Sequence, residues 1–504
     1  MKRKLTKDSS KERGISTAVA AVVIIVLVIA VGAGVYYYAT STVTKATTTA
    51  TSVGTTTATS VSTVVSTAVS TAVSTAVSTS ISTVVAPPAP VAITVWETYA
   101  PSTSLESEFG AFNKSLTSFK SAYPWITVNV QTQDSSAEQS DFTTASLANQ
   151  APDVIRIAND WTGAFVAEGF LTPINQFVNS TFLSQYYNAS ITDYTYGGHL
   201  WGLPENVNGL ALYYNKDLVP TPPTTTNQLV SDAQSITKYN SQCEITTAGI
   251  VFNAAGGFGS GYWWWPFLTG FGGSVFNASS PTMPTLNSSQ AVASVEFLDG
   301  LVTNPNPSSS SGCNGVMPAD ESDTDMVNAF TSGTAGMMID GPWDLTTVNA
   351  SLTPKGIPFG VAALPTVSST GLPLSPFLGS QGWAIASGKS AAETQASFDF
   401  ISFITNYNSE LNLATLSGDL AANAAVAMNP TIASNPYTVG FLAQAATSSV
   451  AVNIPEMGIV YSDIGGPLGL AEPSSSTDVI SAATIQAQLS SAEATCLSDI
   501  GAAA

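Results

Sequence analysis

Residues 15–39 run from Ile15 to Ala39 without a charge and consist largely of Ala, Val and Ile. Twenty-five residues at 1.5 Å each make a helix long enough to cross roughly 30 Å of hydrocarbon. The stretch therefore reads as a membrane span. Residues 40–85 are nearly all Ser, Thr, Val and Ala, with tetrapeptide repeats such as Ser66-Thr67-Ala68-Val69, and Pro87, Pro88 and Pro90 follow. Such a segment has too little apolar variety to build a core, and its β-branched residues disfavour helix. Globular structure is thereby confined to about 415 of the 504 residues, enough for two lobes with separate cores.

Six of the fourteen basic residues, Lys2, Arg3, Lys4, Lys7, Lys11 and Arg13, precede the apolar run. By the positive-inside rule they keep residues 1–14 cytoplasmic and put everything after Tyr38 outside. The junction Arg13-Gly14-Ile15-Ser16-Thr17 resembles an archaeal type IV pilin-like signal. That resemblance implies cleavage after Gly14 with the apolar helix retained, whereas an uncleaved signal anchor is the alternative. Residues 40–90 then serve as an extended stalk, with hydroxyls suited to O-glycosylation. Six Asn-x-Ser/Thr sequons, at Asn113, Asn179, Asn188, Asn277, Asn287 and Asn349, fit an exterior glycoprotein.

Charge narrows the partners. The formal net charge is -20, and beyond residue 14 the chain is strongly acidic, so it repels phosphate backbones and nucleic acid is excluded as a partner. Only 10% of residues are charged, against roughly 25% in ordinary soluble domains, which leaves a polar but sparsely charged surface. Three cysteines and one histidine include no CxxC pair and no His cluster, so no metal site or cofactor is expected. Cys243 and Cys313 are either disulfide-bonded or two buried thiols, and Cys496 is left over.

The body opens with a β-branched apolar run, Ala92 to Trp96, followed by Phe109, Phe112, Leu116 and Phe119 at helical spacing and a second strand, Trp125 to Val130. Strand, helix, strand signals an α/β unit. A helix through Phe142 and Leu147, a strand at Asp153 to Ile157 and a helix at Ala164 to Gly169 continue the alternation. Further strands are expected at Gly209 to Tyr214, Gly336 to Ile339 and Gln381 to Ile385, and helices near 291–302 and 396–404. Two doubly wound lobes would place a ligand at the carboxyl ends of their strands.

Several motifs, in one order, resemble the maltose-type extracellular solute-binding proteins of ABC transporters. They are Ile93-Thr94-Val95-Trp96; Ala151-Pro152-Asp153-Val154 leading to Asn159-Asp160-Trp161; Gly169-Phe170-Leu171-Thr172-Pro173-Ile174; Gly202-Leu203-Pro204-Glu205-Asn206; Tyr213-Tyr214-Asn215-Lys216-Asp217-Leu218; and Gly333 through Trp343. The resemblance implies a type II periplasmic-binding-protein-like clamshell. Lobe 1 would comprise residues 91–207 with about 376–430, and lobe 2 residues 208–375 with about 431–504. Hinge crossings would fall near Pro204 to Gly209, Pro376 to Gly379 and around 430–450. It also implies a sugar ligand, a membrane permease as partner, and no catalysis.

A sugar site needs flat aromatics for CH faces and carboxylates or amides for hydroxyls. Asp160 and Trp161 follow a strand, and Tyr262-Trp263-Trp264-Trp265-Pro266 packs four aromatics into five residues. The resemblance implies that Tyr262, Trp265, Trp343 and Tyr461 line the cleft, with Trp264 as an alternative to Trp265. It places Asn208 where the family often carries an acidic hydroxyl-binding residue. Glu97 follows the first strand and either faces the cleft or is a solvated loop charge. Trp96, Trp125 and Trp383 are expected in the core. The family's basic residue after the Asp160 position is replaced by Trp161, so the particular sugar does not carry over. A glycoside hydrolase, a pilus-like or adhesive subunit, and the same fold with a peptide or polyol cargo are the competing readings.

Overall fold

The computed structural model describes residues 88–503, apart from 100, 103, 278–279, 311 and 451–452. The basic leader, Gly14, the apolar run at 15–39 and the stalk up to residue 87 lie outside the described residues. Among the described residues, no helix is long and apolar enough to cross a membrane.

Ten strands form two mixed sheets: β1 (Val91–Glu97), β2 (Ile126–Thr132), β3 (Val154–Ala158), β4 (Gly202–Pro204), β5 (Ala211–Asn215), β6 (Lys238–Tyr239), β7 (Ile245–Val251), β8 (Ala335–Asp340), β9 (Phe359–Ala362) and β10 (Gln381–Ile385). The first sheet has the order β2-β1-β3-β10-β4 and the second β9-β5-β8-β7-β6. In the first, β2, β1 and β3 are parallel, β10 runs antiparallel to β3, and β4 runs antiparallel to β10. The late strand β10 thus belongs to the first sheet, so the chain returns to it after all five strands of the second.

Local chemistry explains the elements. The helix Glu108–Ala122 starts where the Ser107 side chain accepts from Gly110 N, carries Glu108 in its first turn and Lys120 in its last, and buries Phe112, Leu116 and Phe119 on one face. Full burial of each such side chain stabilises by roughly 1.5–3 kcal/mol. A capping box at Ser390 and Glu393 starts the helix Ala391–Ile404. Each sheet has its own apolar core: Phe119, Phe142, Phe165, Trp383 and Phe400 in the first, Tyr213, Phe252, Trp264, Phe267 and Phe330 in the second. Trp383 is fully buried, whereas Trp96 and Trp125 pack partly buried on the first core.

The cores are joined by several passages. Asn208 and Gly379 exchange backbone hydrogen bonds at 2.7 and 2.8 Å, Asn206–Val207 pairs with Leu420–Ala421, and Phe377–Leu378 pairs with Ser449–Val450. A third passage overlaps only the start of 430–450. The short helices Ala424–Ala427 and Pro430–Ala433 carry it, and the next helix, Pro436–Ala445, already packs on β9. The C-terminal helix Ala482–Ala503 buries Ile485, Leu489, Ala492 and Cys496 in the second core.

Cys243 and Cys313 are disulfide-bonded, with Cα atoms 5.3 Å apart. Cys496 is free and buried, and burial pushes its thiol up to about 12. Of the sequon asparagines, Asn179, Asn188, Asn277 and Asn349 are exposed, and Asn113 and Asn287 are partly buried.

Candidate functional site

The turn Asn159–Trp161 leaves the carboxyl end of β3, and the turn Pro342–Asp344 leaves the carboxyl end of β8. Strand ends of both sheets therefore supply the candidate residues, as expected where lobes of this type face each other. Tyr262 lies in the turn before the helix Trp265–Gly270.

Tyr262, Trp343 and Phe377 form an aromatic wall. The Tyr262 ring lies 6.3 Å from that of Trp343 and 5.2 Å from Phe377, which in turn meets Trp265 edge-on at 5.0 Å. Tyr262 and Trp343 are partly buried, and Trp265 sits behind them, buried. Gly341 makes room for the Trp343 ring: a Cβ there would come within 2.1 Å of it. Tyr213 holds the Gly341 carbonyl by a 2.7 Å hydrogen bond.

Asp160, in the turn after β3 of the first sheet, is near enough for its charge to act on Tyr262. Burial raises the Tyr262 hydroxyl above the ordinary tyrosine range, and the charges of Asp340 and Asp160 raise it further. Asp160 itself is pushed up to about 6 by burial, opposed by its own backbone N–H. The following helix, Thr162–Ala167, has no side-chain cap, so Asp160 is not spent as one. Trp161 is partly buried, edge-on to Phe165 at 6.1 Å. The two sides touch closely here. The turn Asn159–Trp161 packs against the helix Met457–Gly469, and a Cβ on Gly163 would lie 2.7 Å from the Ile454 carbonyl carbon.

Other predicted residues serve the protein itself. Glu97 is fully buried, not solvated, and both carboxylate oxygens are occupied, one by Tyr99 N at 2.6 Å and one by the Thr132 hydroxyl. Trp264 is fully buried and its Nε1 donates to Ser294 Oγ at 2.8 Å, which makes it core instead of platform. Asn208 belongs to the passage: in the orientation that satisfies both its neighbours, its amide donates to Asp419 Oδ1 at 3.2 Å and accepts from Asn206 at 3.2 Å. Tyr461 stands on the helix Met457–Gly469, and its side chain lies outside the described residues.

Two groups escaped the sequence reading. Phe377, within the passage Pro376 to Gly379, closes the aromatic wall. Beside Asp160, Asp193 accepts from Ser380 Oγ at 2.9 Å, and Ser380 N donates to Asn159 Oδ1 at 3.1 Å. Asn159 Nδ2 and Asp193 Oδ1 have no protein partner among the described residues. Asp193 is pushed up to about 7, first by burial and also by the Asp160 charge. Among the described residues no group of His, Cys, Asp and Glu could hold a metal ion.

The family described as bacterial extracellular solute-binding protein matches residues 114–438. The chain belongs to this family. The Maltotriose-binding protein of Pyrococcus abyssi is 26% identical over 64% of this chain and 66% of its own length, so the chain spans about two thirds of that relative. The Galactooligosaccharide-binding protein of Bacillus subtilis is 23% identical over 77% of this chain and 87% of its own length. Among solved structures, the maltose/maltodextrin-binding domain of Bdellovibrio bacteriovorus bound to maltotriose superposes with a TM-score of 0.69 at 22% identity, covering 82% of this chain and 100% of that one. The Thermus thermophilus maltotriose binding protein gives 0.65 at 23% identity, over 80% and 99%. These likenesses establish the two-lobed α/β fold of that structural class.

Proposed function

We propose that this extracellular solute-binding protein is the carbohydrate-capturing subunit of an ABC importer, with an oligosaccharide as cargo. The observation that carries the reading is the aromatic wall of Tyr262, Trp343 and Phe377, with the Asp160 carboxyl near enough for its charge to act on Tyr262. Rings of that kind stack on the CH faces of a sugar, and a carboxylate accepts from vicinal hydroxyls. The names of its relatives, which bind maltotriose and galactooligosaccharide, point to the same class of cargo. Trp265 supports the wall through Phe377, and the helix Met457–Gly469, which carries Tyr461, packs against the turn Asn159–Trp161.

Capture involves no covalent step. Ligand contacts made by both lobes favour the closed arrangement, which is a population shift with hinge-like closure. The lobes are residues 91–207 with about 376–430, and 208–375 with about 431–504. The closed form delivers its cargo to a permease in the membrane, driven by a separate ATPase. The apolar run at 15–39 anchors the chain, its pilin-like leader is processed after Gly14, and the stalk at 40–90 and glycans on exposed sequons keep the body clear of the surface.

Tryptophan fluorescence of the full chain, titrated with a panel of mono-, di- and oligosaccharides, tests this. A saturable change with one class of sugar, lost in Trp343→Ala while the fold persists, is the expected result. Silence across the panel from folded protein would overturn the carbohydrate assignment.

A further inference from the structure

A short segment on the second core reaches across to the first. Ile454 packs on the second core, and the helix Met457–Gly469 that follows it buries Met457, Val460, Ile464 and Leu468 there. One residue before Ile454, the Asn453 amide donates to the Asp193 carbonyl at 2.9 Å and to the Thr195 carbonyl at 3.1 Å. Those carbonyls stand on the first core: Asp193 ends the helix Asn188–Asp193, and Tyr194 between them is fully buried among the first core's side chains. The last carbonyls of a helix lack partners within it, and an Asn amide carries the two N–H donors that serve Asp193 and the residue beyond the turn.

Close packing accompanies these bonds. Gly163 lies in the helix Thr162–Ala167, which buries Phe165 in the first core. A Cβ on Gly163 would come 2.7 Å from the Ile454 carbonyl carbon and 2.8 Å from Pro455 N, so backbone meets backbone across the seam only because residue 163 carries no side chain. Further along, a Cβ on Gly458 would meet Nε2 of Gln139, which stands on the helix Glu138–Leu147, at 3.8 Å. The segment begins beside a passage between the cores, since Ser449–Val450, paired with Phe377–Leu378, ends three residues before Asn453.

We propose that Asn453-Ile454-Pro455 is a latch between the lobes and that Asn453 is a positioning residue for capture: its amide, seated against the bare Gly163, holds the closed arrangement before a sugar bridges the two sides. The proposal rests on reading the two cores as lobes that close on a ligand. Asn453 belongs to the lobe of residues 208–375 with about 431–504, and Gly163, Asp193 and Thr195 belong to the lobe of residues 91–207 with about 376–430. Opening returns both carbonyls to water, so each bond favours closure by the modest net worth of a neutral hydrogen bond. Apparent affinity scales with the fraction of chain already closed, so the latch strengthens capture without touching the cargo.

Hydrogen exchange on the full chain without ligand, followed by titration with maltotriose and with a galactooligosaccharide, tests the latch. In Asn453→Ala, the amides of residues 193–196 and 454–460 should exchange on the order of tenfold faster than in the parent, while those of β1 and β8 keep their rates. Sugar affinity should fall by a similar factor, and saturating sugar should return the seam to the parent's protection. Gly163→Ala favours its own helix but pushes the segment away, so it should give the same pattern with the Asn453 amide intact, and it carries the test should Asn453→Ala fail to fold. Unchanged seam exchange in the folded variants overturns the latch, as does a rise that spreads through both cores, the mark of a merely structural residue. Because exchange is read without sugar, a chain that binds neither sugar yet shows the seam effect keeps the latch and loses the carbohydrate reading.

Discussion

Removing the Cys243–Cys313 bond should cost the second lobe about 4 kcal/mol. The bond spans 70 residues of sequence, from the turn between β6 and β7 to the loop after the helix Ser289–Thr303. Closing a loop of that length removes about 15 cal/mol/K from the unfolded chain, or about 4 kcal/mol at 25 °C. In a lobe of about 240 residues, each kcal/mol moves the midpoint by roughly 2–4 °C, so the expected drop is about 8–16 °C. Differential scanning calorimetry of the full chain, comparing the parent with the Cys243→Ser, Cys313→Ser double variant, measures it. Cys313 is buried and Cys496 stays buried in both proteins, so the comparison isolates one covalent link. A drop below about 2 °C, with the bond verified by mass in the parent, would refute the chain-entropy reasoning.

Three further outcomes follow from the geometry. Glu97→Gln should destabilise by roughly 1–3 kcal/mol, because the buried Tyr99 N–H or the Thr132 hydroxyl loses its carboxylate acceptor, while sugar affinity in the same protein stays unchanged. Gly341→Ala should force the Trp343 ring aside and weaken sugar binding by about tenfold, with circular dichroism unaltered. Asp299 is buried, neither oxygen is paired among the described residues, and burial followed by the charges of Glu296 and Asp478 pushes it up to about 8. Its folded form holds a proton that the unfolded form releases, so the parent should lose stability relative to Asp299→Asn as pH rises from about 4 to about 8, read as the gap in melting temperature.

Most strands were legible because their patterns are local. Ile93 and Val95 alternate on one face of β1, Val154 to Ile157 is a continuous buried run, and the face of Phe112, Leu116 and Phe119 repeats at helical spacing. The passages were harder, since pairing Asn206–Val207 with Leu420–Ala421 leaves no short-range pattern. The short helices there did carry a signal: Asn429-Pro430 and Asn435-Pro436 are each an N-cap followed by proline at the first helical position.

Within the site, composition named the residue types but could not sort equivalent ones. Trp263, Trp264 and Trp265 are consecutive, and only the packing sends Trp264 to Ser294, Trp263 Nε1 to the Ile339 carbonyl, and Trp265 to Phe377. Glu97 looked available because it ends a strand, yet the sheet pleat turns it inward onto Thr132. Arg156, in the middle of an apolar strand, is where a buried carboxyl cluster could have been suspected.

Isothermal titration of the full chain with maltotriose and with a galactooligosaccharide, repeated on Trp343→Ala, tests the central claim most directly. The account predicts saturable binding of at least one of them at a single site, weakened tenfold or more by the substitution, equivalent to about 1.4 kcal/mol or above. Undiminished affinity in a folded Trp343→Ala protein would contradict it, because the sugar would then be held somewhere other than the aromatic wall.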